Sequence, residues 1–190
     1  MLALLSMTSI TDSAHHTLAC HPQTPSEAIQ GIDVVVGEAA GGNLTLVFAL
    51  EGDLSALRIP EPRPSRRGQG LWRHTCCEVL VMVGRGPGYR EFNFSPSGEW
   101  AVYGFRGYRE GGELDVEPAP GIVVQRNGDR LELYAQIRAD VLPPGRPLRL
   151  ALSAVVEDAD GTLSYWALRH LPGKPDFHHT DAFALQLVQP

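Results

Sequence analysis

The sequence predicts an all-β protein, an antiparallel β-sandwich of jelly-roll or immunoglobulin-like type with about ten strands. The 20 Gly and 15 Pro among 190 residues are spread without a repeat, which indicates many turns and argues against long helices. From Ile32 onward, short β-branched or aliphatic runs alternate with Gly, Asn and Asp. A chain with 43% hydrophobic residues, 20% charged residues and a net charge of -6 has the composition of a globular protein.

Residues 1–31 mix Thr, Ser, His, Gln and Pro with little periodicity, and we predict a tail or an edge element there. The apolar run at the start contains no Lys or Arg, so we expect no secretory leader. No stretch approaches the roughly 20 apolar residues of a membrane helix. Cys76 and Cys77 are adjacent and only one other Cys is present, which does not make a disulfide framework. These features predict a cytoplasmic protein.

The strands of the expected sandwich follow one another at short spacing between turn residues. The Asn127-Gly128 pair is the clearest hairpin signal, because both residues tolerate a positive φ. Other turns are predicted at Gly41-Gly42-Asn43, Pro96-Ser97-Gly98 and Asp158-Ala159-Asp160-Gly161. The segments with strand-like patterns are 32–36, 44–50, 76–83, 89–94, 100–105, 122–125, 131–137, 148–157, 164–168 and 183–188.

A Pro- and Arg-rich segment at 59–70 is a break in this pattern. The residues before it contain too few strands to form a core of their own, so the segment is interpreted as a surface loop and not as a linker. We therefore expect residues 32–190 to form a single domain.

Polar residues on otherwise apolar strands mark a candidate site. In the segment 89–94, alternation places Phe92 and Phe94 on the core face, with Glu91 and Asn93 on the opposite face. Glu78 is the single charge in 76–83 and must be paired, hydrogen-bonded or protonated if it is buried. Two interpretations stay open for Glu78: an ion pair with an arginine (Arg73, Arg106 or Arg109), or a contact with a ligand.

Aromatic and imidazole side chains cluster at the ends of neighbouring predicted strands. Trp72 and Trp166 are candidates for stacking on a sugar ring, with core packing as the alternative. Alternation places Trp166 and His170 on the same side of their strand. Aromatic rings combined with polar groups are what a saccharide site requires. The predicted ligand-binding residues are Trp72, His74, Glu78, Glu91, Asn93, Trp100, Tyr103, Arg109, Trp166 and His170.

Other chemistry is open to the same chain. A haem would need an axial ligand such as His74 or His170, and no Cys-x-x-Cys-His motif is present for covalent attachment. The turn around Asp158 and Asp160 offers oxygen ligands for calcium, but such a turn also forms without an ion. The histidines of the segment 176–181 lack zinc-site spacing, so we predict no metal. Two further alternatives are an enzyme using Glu78, Glu91 and a histidine as acid and base, and an interaction module without a small ligand, whose aromatic residues would form an exposed patch or a symmetric interface.

Several blocks of the sequence carry a family resemblance. They are LWRHTCCE at 71–78, YREFNFSPSGEWA at 89–101, GYR at 107–109, SYWAL at 164–168 and PDFH at 175–178. From about Ile32 to the C-terminus the chain resembles a family of bacterial DOMON-like proteins related to type 9 carbohydrate-binding modules. The resemblance implies a β-sandwich whose relatives bind sugars or haem.

The function predicted from the sequence is therefore non-catalytic binding of a small molecule, a saccharide or a sugar-derived metabolite. The acidic net charge of -6 gives no general attraction for nucleic acid or for an anionic membrane surface, and neither is expected as a partner.

Overall fold

The computed structural model describes residues 13–187, which are folded almost entirely as β-strands. Within this range there is no α-helix, and no helix has the length and apolar character needed to cross a bilayer. Five single turns of 3-10 helix connect some of the strands: Ala40–Gly42, Leu54–Ala56, Leu71–Arg73, Ala139–Val141 and Thr180–Ala182. The strands are β1 (Ser13–Cys20), β2 (Ile29–Ala39), β3 (Asn43–Gly52), β4 (Arg66–Arg67), β5 (Cys76–Val83), β6 (Tyr89–Phe94), β7 (Glu99–Gly107), β8 (Glu110–Glu113), β9 (Gly121–Asn127), β10 (Arg130–Ile137), β11 (Leu148–Glu157), β12 (Leu163–Ala167) and β13 (Leu185–Leu187).

The strands form one hydrogen-bonded path in the order β4-β7-β6-β5-β11-β12-β1-β2-β3-β10-β9, with β8 on β7 and β13 on β11. Only β4 and β7 are parallel among the strand pairs of residues 13–187. The path curls, so that Phe48 of β3, Phe92 of β6 and Leu150 of β11 are buried in the same core cluster.

The all-β prediction is confirmed, but the description as about ten strands is too simple. The structure has 13 strands in residues 13–187 along a single curled sheet. The strand predicted at 183–188 is present as β13, whereas the short strands β4 and β8 escaped prediction because two to four residues are too few to show an alternating pattern. The Asn127-Gly128 hairpin is confirmed: β9 ends at Asn127, and Gly128 takes a φ of 62° in the turn.

Residues 13–20 are not a tail or an edge element. They form β1, which pairs with β2 through Ser13 to Leu18 and with β12 through Ala19 and Cys20. Most of its side chains are exposed, and Leu18 is the buried one, so the apolar pattern of an interior strand is missing. Residues 1–12 of the predicted tail lie outside the described residues, as does Val188 at the end of the predicted strand 183–188.

The outer face of the sheet around β5 carries a second, smaller core. Leu80 and Met82 of β5 point away from the main core and pack with Phe177 and Phe183 of the C-terminal segment. This packing draws the segment between β12 and β13 across the sheet. A covered outer face, with polar residues next to it, is where the candidate site lies.

Candidate functional site

A cleft of about 530 Å³ lies between the outer face of the sheet and the C-terminal segment. It combines two carboxyl groups, several aromatic rings and basic side chains. Its walls come from β5, β6, β7, β11, β12 and four connecting segments. The lining residues are Thr24, Trp72, Glu78, Glu91, Tyr103, Phe105, Arg109, Val155, Tyr165, Lys174, Pro175, Phe177 and His178.

Strand register brings the polar side chains of the cleft together. Glu78 of β5 lies opposite Ser153 of β11 on one side and Asn93 of β6 on the other. Glu91 of β6 lies opposite Tyr103 of β7. Residues that face each other across antiparallel strands project to the same side of the sheet, so these side chains form one polar band across four strands.

The two carboxyl groups of this band are almost fully buried: Glu78 is 3% exposed and Glu91 is 5% exposed. Ser153 Oγ donates to Glu78 Oε2 at 3.3 Å, and Asn93 Nδ2 donates to Glu91 Oε1 at 2.8 Å. Burial, together with the neighbouring charge of Glu91, raises the pKa of Glu78 well above its usual value. Burial also raises the pKa of Glu91, although the hydrogen bond from Asn93 and the charge of Arg109 oppose this. The pair therefore keeps protons at a pH where exposed glutamates have lost them.

Of the two interpretations left open for Glu78, the ion pair with Arg73, Arg106 or Arg109 is not formed. Arg109 Nη2 donates instead to Asp176 Oδ1 at 3.0 Å, and Arg106 Nη2 donates to Glu110 Oε1 at 2.6 Å. The guanidinium of Arg73 lies over the Trp72 ring, 5.0 Å from its centroid. Within residues 13–187, no Lys or Arg nitrogen lies within 4.0 Å of either buried carboxyl group.

A chain of hydrogen bonds runs from the backbone at Arg109 through Tyr89 to His178, whose ring lies close to Glu91. The Arg109 backbone N–H donates to Tyr89 Oη at 3.0 Å, and Tyr89 Oη lies 2.8 Å from His178 Nδ1. The tyrosine oxygen accepts from the backbone N–H and its own proton can point to Nδ1; in that arrangement the imidazole proton is on Nε2. That nitrogen lies 3.5 Å from Glu91 Oε2.

His178 is uncharged at neutral pH. Burial and the charge of Arg109 lower the pKa of His178 to about 4, against the opposite influence of Asp176. A neutral imidazole with its proton on Nε2 presents an N–H group to Glu91 without supplying a compensating positive charge.

Asp176 fastens the C-terminal segment over the cleft. Its carboxylate accepts from Tyr108 Oη at 2.8 Å and from Arg109 Nη2 at 3.0 Å, both next to the β7–β8 turn. It also accepts from the backbone N–H of His178 at 3.1 Å. These bonds fix the position of Phe177 and His178 at the rim.

Aromatic rings form the walls of the cleft. Trp72 is 47% exposed, which is unusual for a tryptophan, and belongs to the 3-10 turn that starts after Gly70 at a φ of 64°. Tyr103 and Phe105 of β7 share one face of their strand, and Phe177 packs near Tyr165 with ring centroids 6.0 Å apart. An exposed indole beside further rings is a surface suited to stacking.

Four residues predicted for the site lie elsewhere. Trp100 and Trp166 are buried in the main core. Strand alternation puts Trp100 on the opposite face of β7 from Tyr103, and Trp166 on the opposite face of β12 from Tyr165, and both tyrosines line the cleft. Trp166 Nε1 donates to Ser164 Oγ at 3.0 Å. His74 Nδ1 lies 2.7 Å from Glu157 Oε2, and His170 Nε2 lies 2.8 Å from the Ala19 carbonyl oxygen. Trp166 and His170 therefore do not share a ligand space, contrary to expectation.

Five predicted residues do meet at the cleft: Trp72, Glu78, Glu91, Tyr103 and Arg109. Asn93 stands behind them as the hydrogen-bond partner of Glu91. The other eight lining residues were not predicted from the sequence: Thr24, Phe105, Val155, Tyr165, Lys174, Pro175, Phe177 and His178. Alternation from Tyr103 would have found Phe105, whereas the C-terminal residues lie in a segment with no strand or helix pattern.

Two features next to the cleft complete the description. A wider hollow of about 750 Å³ adjoins the cleft and shares Phe105 and Arg109 with it, but it contains neither buried carboxyl group. Among residues 13–187, no group of three His, Cys, Asp or Glu side chains is placed to hold a metal ion.

Comparison with known proteins shows the fold. No family model matches the chain. No curated protein matches it. Among solved structures, the chain is similar to a protein from Bacteroides uniformis ATCC 8492 described as a "putative carbohydrate-binding protein", with a TM-score of 0.64 and 13% sequence identity. The similarity covers 90% of this chain and 83% of that chain, so the two proteins share most of one fold.

Proposed function

We propose that this protein binds a saccharide or a sugar-derived metabolite in the cleft between the sheet and the C-terminal segment, without catalysis. The observation that carries the proposal is the exposed ring of Trp72 beside two buried carboxyl groups in one cleft. A sugar ring offers C–H faces for stacking and hydroxyls for hydrogen bonds, and this combination meets both needs.

Two further points support the proposal. The volume of about 530 Å³ is within the usual range of small-molecule sites. The solved structure of similar fold is described as carbohydrate-binding, and the sequence resembles DOMON-like proteins related to type 9 carbohydrate-binding modules. Because the resemblance runs from about Ile32 to the C-terminus, we also propose that residues 32–190 form one sandwich-type domain, and that β1 belongs to the same domain.

The roles of the residues follow from their positions. Trp72 stacks on the sugar ring at the open side of the cleft. Glu78 and Glu91 bind hydroxyls at its floor, where Asn93 and Ser153 hold them in place. Arg109 stands at the rim, held by Asp176.

Isothermal calorimetry against a panel of mono- and disaccharides tests the proposal. We expect heat with at least one sugar and a loss of at least tenfold in affinity in Trp72→Ala. Tyr134→Ala, on β10 and outside the cleft, is the matched control and keeps the affinity. The proposal fails if no sugar in the panel gives heat, or if Trp72→Ala binds as tightly as the unmodified protein.

One observation favours a second candidate function, acid–base catalysis on the bound sugar. Two carboxyl groups of raised pKa and a neutral imidazole face one cleft, and perturbed groups of this kind cluster at catalytic sites. In this case NMR spectra of a bound sugar change with time, and Glu91→Gln stops the change without abolishing binding. Spectra that stay constant over hours exclude catalysis on that sugar.

The haem alternative has no comparable support. His74 and His170, its candidate axial ligands, lie outside the cleft and are each hydrogen-bonded to another group.

A further inference from the structure

Within residues 13–187, the buried carboxyls of the cleft have no Lys or Arg partner within 4.0 Å. Glu78 is 3% exposed, yet Ser153 is the residue that donates to it. Glu91 receives the amide of Asn93 and faces the neutral imidazole of His178. Buried carboxylates are normally paired with a cation, because removing an isolated charge from water is costly.

The basic residues near the cleft do not fill this need. Arg109 gives its guanidinium to Asp176 at 3.0 Å, so its charge is already balanced at the rim. Lys174 lines the cleft but makes no ion pair within 4.0 Å with any carboxylate of residues 13–187. Within residues 13–187, no Lys or Arg side chain is therefore in contact with the carboxyl pair, although Arg109 and Lys174 line the same cleft.

A second observation on the same face points to a missing hydrogen-bond donor. Asn93 is fully buried and lies opposite Glu78 in the strand register. Its Nδ2 donates to Glu91, which leaves Oδ1 as an acceptor without any partner in residues 13–187. A buried unpaired carbonyl oxygen is costly and signals a group that completes the site. This face therefore carries acceptors on three side chains, of which Glu78 and Glu91 line the cleft and Asn93 lies directly behind them.

We propose that the cleft binds the protonated amine of its ligand at Glu78 and Glu91, and that the ligand is an amine-bearing sugar. An alkylammonium group supplies three N–H donors and one positive charge. The donors match the acceptor oxygens on neighbouring strands, and the charge matches the carboxyl pair that has no cationic partner. The aromatic walls favour the same group, because the faces of Trp72, Tyr103 and Tyr165 attract cations. The sugar part rests on the proposed function, whereas recognition of the amine does not.

Calorimetry at pH 7.5 with three sugars of one ring type tests the inference: glucosamine, N-acetylglucosamine and glucose. The first carries a charged amine, the second an uncharged amide at the same carbon, and the third a hydroxyl. We expect glucosamine to bind at least tenfold more tightly than the other two. The same comparison with the galactose and mannose series covers a site that selects another stereochemistry.

Variants assign the effect to the carboxyl pair. Glu78→Gln and Glu91→Gln each lower glucosamine affinity at least tenfold and lower glucose affinity less than threefold, whereas Glu110→Gln, at the rim of the adjoining hollow, changes neither. Thermal melts verify that each variant is folded. If one of the two cleft variants does not fold, the result for the other one still decides whether the carboxyl pair binds the amine.

The outcomes separate this inference from the proposed function. If neutral sugars bind and no amino sugar binds more tightly, the amine inference is overturned and saccharide binding stands. If n-butylammonium binds in a manner that depends on Glu78 and Glu91 while no sugar binds, the amine site stands and the saccharide function is overturned. If none of these probes binds, both are overturned.

Discussion

The replacement Glu78→Gln should make the protein more stable at high pH. Glu78 is 3% exposed, and burial and the neighbouring Glu91 raise its pKa well above the usual value. For such an acid the folded state binds more protons than the unfolded state once the pH exceeds the unfolded pKa of about 4.3, so folding stability falls as the pH rises. The amide cannot ionise and removes this loss. Below about pH 4 the two proteins should differ little.

The expected gain follows from what the substitution keeps and what it removes. The amide has nearly the same size as the carboxyl group, and its oxygen still accepts from Ser153. It removes the cost of burying a charge without an ionic partner, which is on the order of 2 kcal/mol. In a protein of 190 residues this corresponds to a rise in Tm of roughly 4–8 °C.

Thermal melts followed by circular dichroism at pH 8 and pH 4 measure the effect. Glu113→Gln is the control, because Glu113 is exposed on β8 and its replacement should leave Tm within about 1 °C at both values. The reasoning is refuted if Glu78→Gln lowers Tm at pH 8, or if it raises Tm equally at both pH values. An equal rise would mean that packing, and not charge, is responsible.

Three other properties can be checked on the same protein. The pKa of His178 is lowered to about 4, so its imidazole should give the NMR signals of the neutral form down to about pH 5. Because the folded state resists protonation of this ring, the free energy of unfolding should fall by up to about 3 kcal/mol between about pH 6.5 and pH 4. In His178→Gln this fall should be smaller. Asp176→Asn should speed hydrogen exchange in residues 174–183, and unchanged exchange would contradict the role of Asp176 in fastening that segment. Trp166→Ala should lower the free energy of unfolding in urea by about 3–5 kcal/mol, because the ring is buried in the main core. Trp166→Phe should keep the affinity for sugar, and a loss of affinity in this variant without a loss of stability would place the ring in the site.

Alternation along single strands predicted much of the site. It placed Phe92 and Phe94 in the core and Glu91 with Asn93 on the other face, and the structure has this arrangement. The prediction of Trp100 as a site residue is wrong because it rested on the aromatic side chain alone, whereas alternation puts residues 100 and 103 on opposite faces of the strand. Trp100 shares its face with Val102, whereas Tyr103 faces the cleft.

The remaining part of the site depends on long-range packing that no local pattern encodes. His178 reaches Glu91 because Phe177 and Phe183 pack on Leu80 and Met82 and draw the C-terminal segment over the sheet. The curl of the sheet around a common core likewise depends on β1, which joins β12 to β2 in the strand order. Its side chains are mostly exposed, so the sequence shows no apolar pattern that would predict this strand. Backbone pairing with both neighbouring strands fixes its place.

The stability and binding predictions for Glu78 are linked, because both depend on a buried carboxyl group without a cationic partner in the free protein. If the carboxyl group serves only the fold, its replacement by an amide should not stabilise the protein, because a structural carboxylate has a partner that lowers its energy. If it serves a cationic ligand, the free protein carries the unbalanced group at a cost, and bound ligand restores stability by an amount that grows with its concentration, about 2.7 kcal/mol at 100 times Kd. The ligand should therefore raise the Tm of the unmodified protein strongly and that of Glu78→Gln weakly. A variant that gains stability yet keeps the full shift with an amino sugar would show that the carboxyl group is costly for a reason unrelated to the amine.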